Sequence, residues 1–219
     1  MKLDPNKKFS AFLFDMDGTL LTSIAAAERV WGAWARSHGL DPIAFLPTMH
    51  GKRAIDTIRR LDLPGVDAEI EAEKITKAET DDVQGVAAIA GAAEFLDALP
   101  LDRWAIVTSA SKKLAQRRLE AAGLTIPRII VTGEDVAVGK PDPQCFLLAA
   151  RQLGFSAANC LVFEDVEAGV KAGQAAGADV VVVTAAGHDL NLPANPIIND
   201  YREVVPVLSA DGLLSISYT

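Results

Sequence analysis

Two aspartates separated by one residue, Asp15 and Asp17, directly follow the apolar run 11–14. The run has the length and composition of a buried β-strand, and in an extended chain residues i and i+2 point the same way. Two carboxylates roughly 4 Å apart repel by about 1 kcal/mol in water and about 4 kcal/mol at an effective dielectric of 20. Such a pair is explained by an acid/base couple with one protonated member, by a divalent cation such as Mg²⁺, or by a solvated Asp-Gly turn.

Polar residues also follow three later apolar segments, and they are Thr108 with Ser109, Lys140, and Glu164 with Asp165. Each has a structural alternative: Ser109 as a helix cap, Lys140 as a solvated loop residue, and the two acids as favourable charges at the start of the next helix. In an open α/β sheet the carboxyl ends of the strands meet in one crevice. We therefore expect these groups to converge with Asp15.

The chemistry of this set is that of phosphoryl transfer. Carboxylates and a backbone carbonyl are hard oxygen ligands suited to Mg²⁺, and a lysine and a hydroxyl suit a phosphate. A carboxylate can attack phosphorus to form an aspartyl phosphate. A second acid can then protonate the leaving oxygen and later activate water, a role typically worth about 10²–10⁴-fold in rate.

Apolar runs alternate with helical patterns along most of the chain, which predicts a parallel sheet covered by helices on both faces. The predicted strands are 11–14, 104–109, 128–132, 159–163 and 179–183, with a possible edge strand at 213–218 after a predicted helix at 201–208. Between residues 22 and 87 we find helical patterns, at 24–37, 54–61 and 67–82, and no convincing strand. We predict an α/β fold, a doubly wound Rossmann-like core of residues 1–21 and 88–219, with an inserted all-helical cap of residues 22–87 standing over the sheet's carboxyl edge.

Composition limits the possible partners and location. The chain has 219 residues, of which 50% are hydrophobic, enough for a sizeable core. Its net charge is −8 and it has no run of Lys or Arg, so we expect neither a nucleic-acid partner nor a membrane surface. Cys145 and Cys160 lie in apolar segments and are expected to be buried free thiols. Asp15 interrupts the first apolar run too early for a signal peptide, and we expect a cytoplasmic protein.

Four segments, 15–20, 107–109, 139–141 and 163–169, together resemble the ordered motifs of the haloacid dehalogenase superfamily of phosphohydrolases. The resemblance implies Asp15 as the nucleophile, Asp17 as the general acid/base, and Ser109 with Lys140 on the phosphate. It also implies Mg²⁺ held by the Asp15 side chain, the Asp17 carbonyl and Asp165, with Glu164 beside it. The helical insertion resembles the small cap that closes over the site in that superfamily.

Residues 49–53, 104–109 and 172–177 are similar to the sugar-phosphate and polyol-phosphate phosphatases, the group with glycerol-3-phosphatase and 2-deoxyglucose-6-phosphatase. This similarity implies that His50 and Arg53 contact the substrate from the cap. The alternative is that His50 caps a helix and Arg53 is solvated. The implied function is Mg²⁺-dependent hydrolysis of small phosphorylated sugars or polyols.

Three other functions are compatible with parts of this pattern. A hexose-phosphate mutase of the β-phosphoglucomutase type shares the motifs, but such mutases carry a histidine about ten residues after the acid/base, where Ala27 stands here. A true dehalogenase needs neither Asp17 nor the Glu164–Asp165 pair. A catalytically silent phosphate-binding module is the third. The preferred substrate, the oligomeric state, and the roles of His188 and the tail beyond Pro196 are not predicted.

Overall fold

A computed structural model describes residues 2–187 and 195–219, so that His188 lies outside the described residues. The strands are β1 Ala11–Phe14, β2 Leu21–Thr22, β3 Ala87–Ala88, β4 Trp104–Val107, β5 Ile130–Val131, β6 Cys160–Glu164, β7 Asp179–Val183, β8 Ile197–Ile198, β9 Val204–Leu208 and β10 Leu214–Tyr218. The helices are α1 Ile24–Ser37, α2 Pro42–Phe45, α3 Ala54–Leu61, α4 Ala68–Asp81, α5 Ala92–Asp97, α6 Lys112–Ala122, α7 Gln144–Leu153 and α8 Glu167–Ala175.

Six strands form the main sheet in the order β5-β4-β1-β6-β7-β8, and all neighbouring pairs are parallel. Strand β1 lies between β4 and β6, with Phe14 opposite Ile106 on one side and Phe163 on the other. The chain therefore leaves β1, β4 and β6 at the same edge of the sheet. This is the edge at which open α/β sheets bind ligands.

Both faces of the sheet are buried, as the continuous apolar strands predict. Phe12 and Phe14 belong to one hydrophobic cluster together with residues of α5 and α6. Ala11 and Leu13, which point the opposite way, belong to a second cluster with residues of α7 and α8. The predicted α/β fold with a Rossmann-like parallel sheet and flanking helices is confirmed.

Helices α1 to α4 have a hydrophobic cluster of their own, which includes Trp31, Trp34, Phe45, Ile58 and Ile75. The predicted helices at 24–37 and 54–61 are observed with those bounds. The helix predicted at 67–82 is observed as Ala68–Asp81, and the Asp67 side chain accepts from the N–H of Ile70 as its cap.

The expectation of no strand between residues 22 and 87 is wrong at the two ends of that stretch. Strands β2 and β3 pair antiparallel, with Leu21 opposite Ala88 and Thr22 opposite Ala87. A ladder of two residues on each side is too short to produce a recognisable alternation in the sequence.

The helix predicted at 201–208 is also wrong. Residues Tyr201–Glu203 form one 3-10 turn, and the chain then continues as strand β9. Val204, Val205 and Val207 are β-branched and favour extended backbone, while Pro206 lacks the N–H that a helix interior needs. Strand β10 is confirmed as a strand, but it pairs with β9 in a separate two-stranded sheet.

Both cysteines are buried and free, as expected. Strands β8 and β9 give the tail beyond Pro196 pairings that the sequence did not indicate, whereas β10 lies within the possible edge strand at 213–218. Across residues 2–187 and 195–219, none of the helices combines the length and the apolar character needed to cross a membrane.

Candidate active site

Asp15 lies directly after β1, and its N–H donates to the Phe163 carbonyl at 2.9 Å, which continues the β1–β6 ladder by one residue. The buried Lys140 ammonium lies 2.6 Å from Asp15 Oδ1 and 2.6 Å from Glu164 Oε1, and it donates to the Val107 carbonyl at 3.1 Å. Asp15, Lys140 and Glu164, which the sequence places after different strands, thus meet at one edge of the sheet.

Both oxygens of Glu164 accept hydrogen bonds within the chain. Oε1 accepts from Lys140, and Oε2 accepts from the N–H groups of Asp165 at 2.9 Å and Val166 at 3.2 Å. A Cβ at Gly169 would lie 1.6 Å from Glu164 Oε1, so α8 approaches the carboxylate more closely than any side chain allows. Glu164 therefore orients the lysine and shapes the turn after β6.

Asp165 packs against the loop that follows β1. The Thr19 hydroxyl donates to Asp165 Oδ1 at 3.2 Å. Gly18 has φ +90°, and a Cβ there would lie 1.9 Å from Asp165 Oδ2, so both the backbone conformation and the contact require glycine. One oxygen from each of Asp15, Glu164 and Asp165 lies within 4.8 Å of the other two.

The charges in this acidic cluster do not balance, because three carboxylates share one ammonium. Burial raises the pKa of Asp15 to about 8 with help from Glu164 and Asp17, although Lys140 opposes the change. Burial and the neighbouring acids also raise the pKa of Asp165. Burial disfavours the charged form of Lys140, but Asp15 and Glu164 outweigh it and raise its pKa. Converging carboxylate oxygens with excess negative charge fit a divalent metal ion.

The Asp17 carboxylate is turned toward a different set of partners. Its Oδ1 accepts from the Ser23 hydroxyl at 2.6 Å and from Arg118 Nη1 at 2.9 Å. Arg118 is on α6, and its Nη2 donates to Glu79 Oε1 on α4 at 2.9 Å. Burial disfavours charge on Arg118, yet Asp17 and Glu79 together raise its pKa.

Sequence reasoning missed Arg118 and Glu79, although a signal for both was present. Each is a charged residue on the apolar face of an amphipathic helix. The buried residues of α6 are Leu114, Ala115, Arg118 and Leu119, and those of α4 are Ile75, Glu79 and Thr80. A charge in such a stripe has to be paired inside the protein.

Ser109 contacts the loop that precedes α3. Its hydroxyl donates to the Gly51 carbonyl at 2.9 Å. A Cβ at Gly51, where φ is +71°, would lie 2.3 Å from Val166 Cγ2, so the loop sits directly on the turn after β6. The neighbouring Thr108 hydroxyl instead accepts from the Ala110 N–H at 3.1 Å.

A cavity of about 110 Å³ lies between the carboxyl edge of the sheet and helices α1, α3 and α4. Its polar lining includes Asp15, Asp17, Glu79, Ser109, Arg118 and Asp165, and its apolar lining includes Ile24, Ala27, Trp31 and Leu114. Asp15 and Asp165 of the acidic cluster therefore share this small space with Asp17, whereas Glu164 and Lys140 are not among its lining residues.

The two residues expected to face the site from the helical segment occupy different places. His50 lines the cavity, with Nε2 3.8 Å from Glu28 Oε1. Arg53 is not among the lining residues. Its guanidinium donates to both oxygens of Asp56 at 2.6 and 2.9 Å, and to the carbonyls of Val136 at 2.9 Å and Ala137 at 3.1 Å.

Comparison with known proteins agrees with this geometry. The sequence profile of the haloacid dehalogenase-like hydrolases matches residues 9–177. Hexitol phosphatase A of Escherichia coli (strain K12) is 44% identical over 178 residues, which cover 80% of this chain and 82% of that protein. 2-Deoxyglucose-6-phosphate phosphatase 2 of Saccharomyces cerevisiae (strain ATCC 204508 / S288c) is 33% identical over 196 residues, which cover 79% of each chain.

Among solved structures, a hydrolase from Pseudomonas syringae superposes with a TM-score of 0.78 at 29% identity, covering 87% of this chain and 94% of that one. The profile match spans every strand end and loop that carries a group of the acidic cluster. The family resemblance of the four motifs is thereby confirmed, and this chain belongs to the haloacid dehalogenase-like hydrolases.

Proposed function

We propose that the protein is a Mg²⁺-dependent phosphatase that hydrolyses small phosphorylated sugars or polyols through an aspartyl-phosphate intermediate. The observation that carries this proposal is that Asp15, which Lys140 binds from below the cavity surface, and Asp165 converge on the cavity that Asp17 and Ser109 also line. The names of the two similar phosphatases, of hexitols and of 2-deoxyglucose 6-phosphate, support this substrate class.

The first half-reaction transfers the phosphoryl group to Asp15. The substrate phosphate binds to Ser109, whose hydroxyl exchanges the Gly51 carbonyl for a phosphate oxygen. It also binds to Lys140, whose ammonium exchanges one of its three acceptors for a phosphate oxygen. A carboxylate oxygen of Asp15 then forms a bond to phosphorus while the bond from phosphorus to the ester oxygen breaks. Asp17 gives its proton to the departing ester oxygen, which leaves as an alcohol.

The second half-reaction returns the protein to its starting state. Asp17, now a carboxylate, takes a proton from a water molecule as that water attacks phosphorus. The bond between phosphorus and Asp15 breaks, inorganic phosphate leaves, and the Asp15 carboxylate is restored. Ser23 and Arg118 both bind Oδ1 of Asp17, which orients this carboxylate for the two proton transfers.

The proposed Mg²⁺ ligands are the Asp15 side chain, the Asp17 carbonyl and Asp165. Glu164 is assigned a place beside the ion, since Lys140 and two backbone N–H groups already bind its oxygens. When bound, the ion neutralises the excess charge of the acidic cluster and of the transferred phosphoryl group.

Residues 22–87 are proposed to act as a cap that covers the cavity, excludes water and selects the alcohol. His50 lines the cavity, which supports a contact with the substrate. A direct substrate contact for Arg53 stays a prediction. Its hydrogen bonds to the Val136 and Ala137 carbonyls support a role in holding the cap loop against the core.

Hydrolysis is favoured over a hexose-phosphate mutase reaction by the residue at position 27. Ala27 lines the cavity where the motif comparison places the histidine of the mutases. A methyl group can neither donate nor accept a proton there, so a second hydroxyl of the substrate has no base at this position.

The test is phosphate release from a panel of phosphorylated sugars, polyols and nucleotides, with Mg²⁺ and with a chelator. We expect release only with the metal, concentrated on sugar and polyol phosphates. Isomerisation of a hexose phosphate with little release would instead identify a mutase. Metal binding without release from any ester would identify a phosphate-binding module.

A further inference from the structure

One wall of the cavity is a buried row of three charged side chains, Asp17, Arg118 and Glu79. Arg118 is 4% exposed and Glu79 is 7% exposed. The guanidinium lies 2.9 Å from Asp17 on one side and 2.9 Å from Glu79 on the other. All three residues line the cavity, and they come from the loop after β1, from α6 and from α4.

Stability alone does not explain this row. A buried group of ion pairs is often no more stabilising than apolar residues of similar volume, because each charge loses its hydration. One turn before each charged residue, α4 and α6 carry the buried apolar residues Ile75 and Leu114. Joining the two helices does not by itself require charges at positions 79 and 118. Arg118 orients Asp17, and both charged side chains line the cavity, where they can meet a polar ligand.

The row also has hydrogen-bonding capacity left over. The Nε–H of Arg118 is buried and has no hydrogen-bond partner within residues 2–187 and 195–219. A buried donor without an acceptor is unfavourable, and an acceptor supplied by a ligand removes that penalty. A hydroxyl group both donates and accepts, so one hydroxyl can accept from Arg118 and donate to Glu79 at the same time.

The apolar part of the lining matches the carbon-bound hydrogens of a carbohydrate. Trp31 lines the same cavity together with Ile24 and Leu114. These side chains offer an apolar surface to carbon-bound hydrogens, while the charged row offers polar groups to hydroxyls. A cavity lined by both kinds of side chain suits a polyhydroxylated alcohol better than it suits an alcohol with a purely apolar chain.

The row is also placed next to the bond that breaks. Asp17 has to reach the ester oxygen, and Arg118 is hydrogen-bonded to Asp17. Hydroxyls on the carbons beside the ester oxygen therefore come next to Arg118 and Glu79. We infer that Arg118 and Glu79 form the subsite that binds the hydroxyl groups of the alcohol, and so determine specificity for polyol and sugar phosphates. This inference rests on the proposed function and names the subsite that would select its substrates.

The test compares binding of two three-carbon esters, glycerol 3-phosphate and propyl phosphate, which share the chain and the phosphate and differ in the hydroxyls. Titration calorimetry with the Asp15→Asn protein and Mg²⁺ measures binding without turnover. We expect glycerol 3-phosphate to bind about 10- to 100-fold more tightly, the range expected for hydrogen bonds to charged groups. In the double variant Glu79→Leu/Arg118→Met, which leaves neither charge of the pair behind, the two esters should bind within about twofold of each other.

The matched control is Glu73→Leu/Arg117→Met, which makes the same changes at exposed positions of α4 and α6. This control should bind glycerol 3-phosphate more tightly than propyl phosphate by the same factor as the Asp15→Asn protein. Arg118→Lys keeps a cation beside Asp17 but lacks the planar guanidinium and its several N–H donors. It should lose most of the preference for glycerol 3-phosphate. This variant provides the test if the double variant does not unfold cooperatively.

Three results would overturn the inference: equal binding of both esters by the parent, no binding of either ester, or a preference that survives in the double variant and in Arg118→Lys. Failure of the proposed function is recognised separately. It would appear as no phosphate release by the unmodified protein from any ester, whatever the calorimetry shows.

Discussion

The core half of the site and the half contributed by α1–α4 hold their polar groups by different means. In the core, Lys140 binds Asp15, Glu164 and the Val107 carbonyl, and Glu164 also accepts from main-chain N–H groups after β6. In the helical half, Glu79 reaches the site through Arg118, and the Gly51 carbonyl reaches it through Ser109. Substitutions in the core should therefore affect every phosphate ester. Substitutions of helical-half residues that line the cavity should affect esters according to their alcohol, whereas those that only hold this half against the core should not.

Asp15→Asn should produce the largest effect on activity. The amide cannot form the phosphoaspartate, so phosphate release should fall by about 10³-fold or more with sugar, polyol and aryl phosphates alike. The fold should be retained, as checked by near-ultraviolet circular dichroism. Asp102→Asn, at an exposed position, is the matched control. Substantial remaining turnover would exclude a covalent mechanism through Asp15.

Lys140→Met should combine loss of turnover with loss of stability. It leaves the buried carboxylates of Asp15 and Glu164 without their shared cation. Breaking a buried ion pair in this way reduces the free energy of unfolding by about 3–5 kcal/mol. Denaturant unfolding measures the change, and Lys171→Met, in an exposed pair with Glu167, is the control. Equal unfolding midpoints for both variants would show that the lysine does not stabilise the core half.

Mg²⁺ binding should stabilise the core half specifically. At a free concentration of 100 times its Kd, a ligand of the native state adds about 2.7 kcal/mol, or roughly 5–10 °C in Tm for a chain of this size. A chelator should reverse the shift. Asp165→Asn should reduce it, while Asp142→Asn, outside the acidic cluster, should not. An unchanged Tm for the unmodified protein would argue against a metal at this cluster.

Arg53→Ala should produce the smallest effect and test the helical half. Removing the hydrogen bonds to the Val136 and Ala137 carbonyls should raise KM by about 3- to 10-fold, the equivalent of about 1 kcal/mol. The increase should be similar for a sugar phosphate and an aryl phosphate, because the contact is with the core. Arg60→Ala, which removes hydrogen bonds to Thr48, is the control. A rise confined to the sugar phosphate would instead support direct contact between Arg53 and the substrate.

The core half was more predictable from sequence than the helical half for a physical reason. An apolar run followed by an acid fixes the end of a parallel strand, and parallel strand ends converge by topology. The meeting of Asp15 with Lys140 could be expected on that ground. The contacts of Arg118 with Asp17 and Glu79 depend on how α6 packs against the loop after β1 and against α4, and no local pattern encodes them. The only local signal was a charge within an apolar stripe.

The helix wrongly predicted at 201–208 shows again that contacts between distant parts of the chain cannot be read from local sequence. Residues 204–208 contain three valines, which favour a strand, and a proline, which disfavours a helix interior, but their apolar spacing also fits a helix. Pairing of Val204 with Tyr218 and of Leu208 with Leu214 decides between the two. That partner strand lies later in the chain, so its influence is not visible in the local sequence.

The short pairing of β2 with β3 has a consequence for the evolution of such a protein. Leu21 lies opposite Ala88 and Thr22 opposite Ala87, so the chain leaves the sheet layer and returns to it at one point. The intervening helices can be lengthened, shortened or exchanged without moving the strand ends that carry Asp15 and Asp165. A lineage can thereby acquire a new substrate by altering the inserted helices while it inherits the bond-breaking chemistry unchanged.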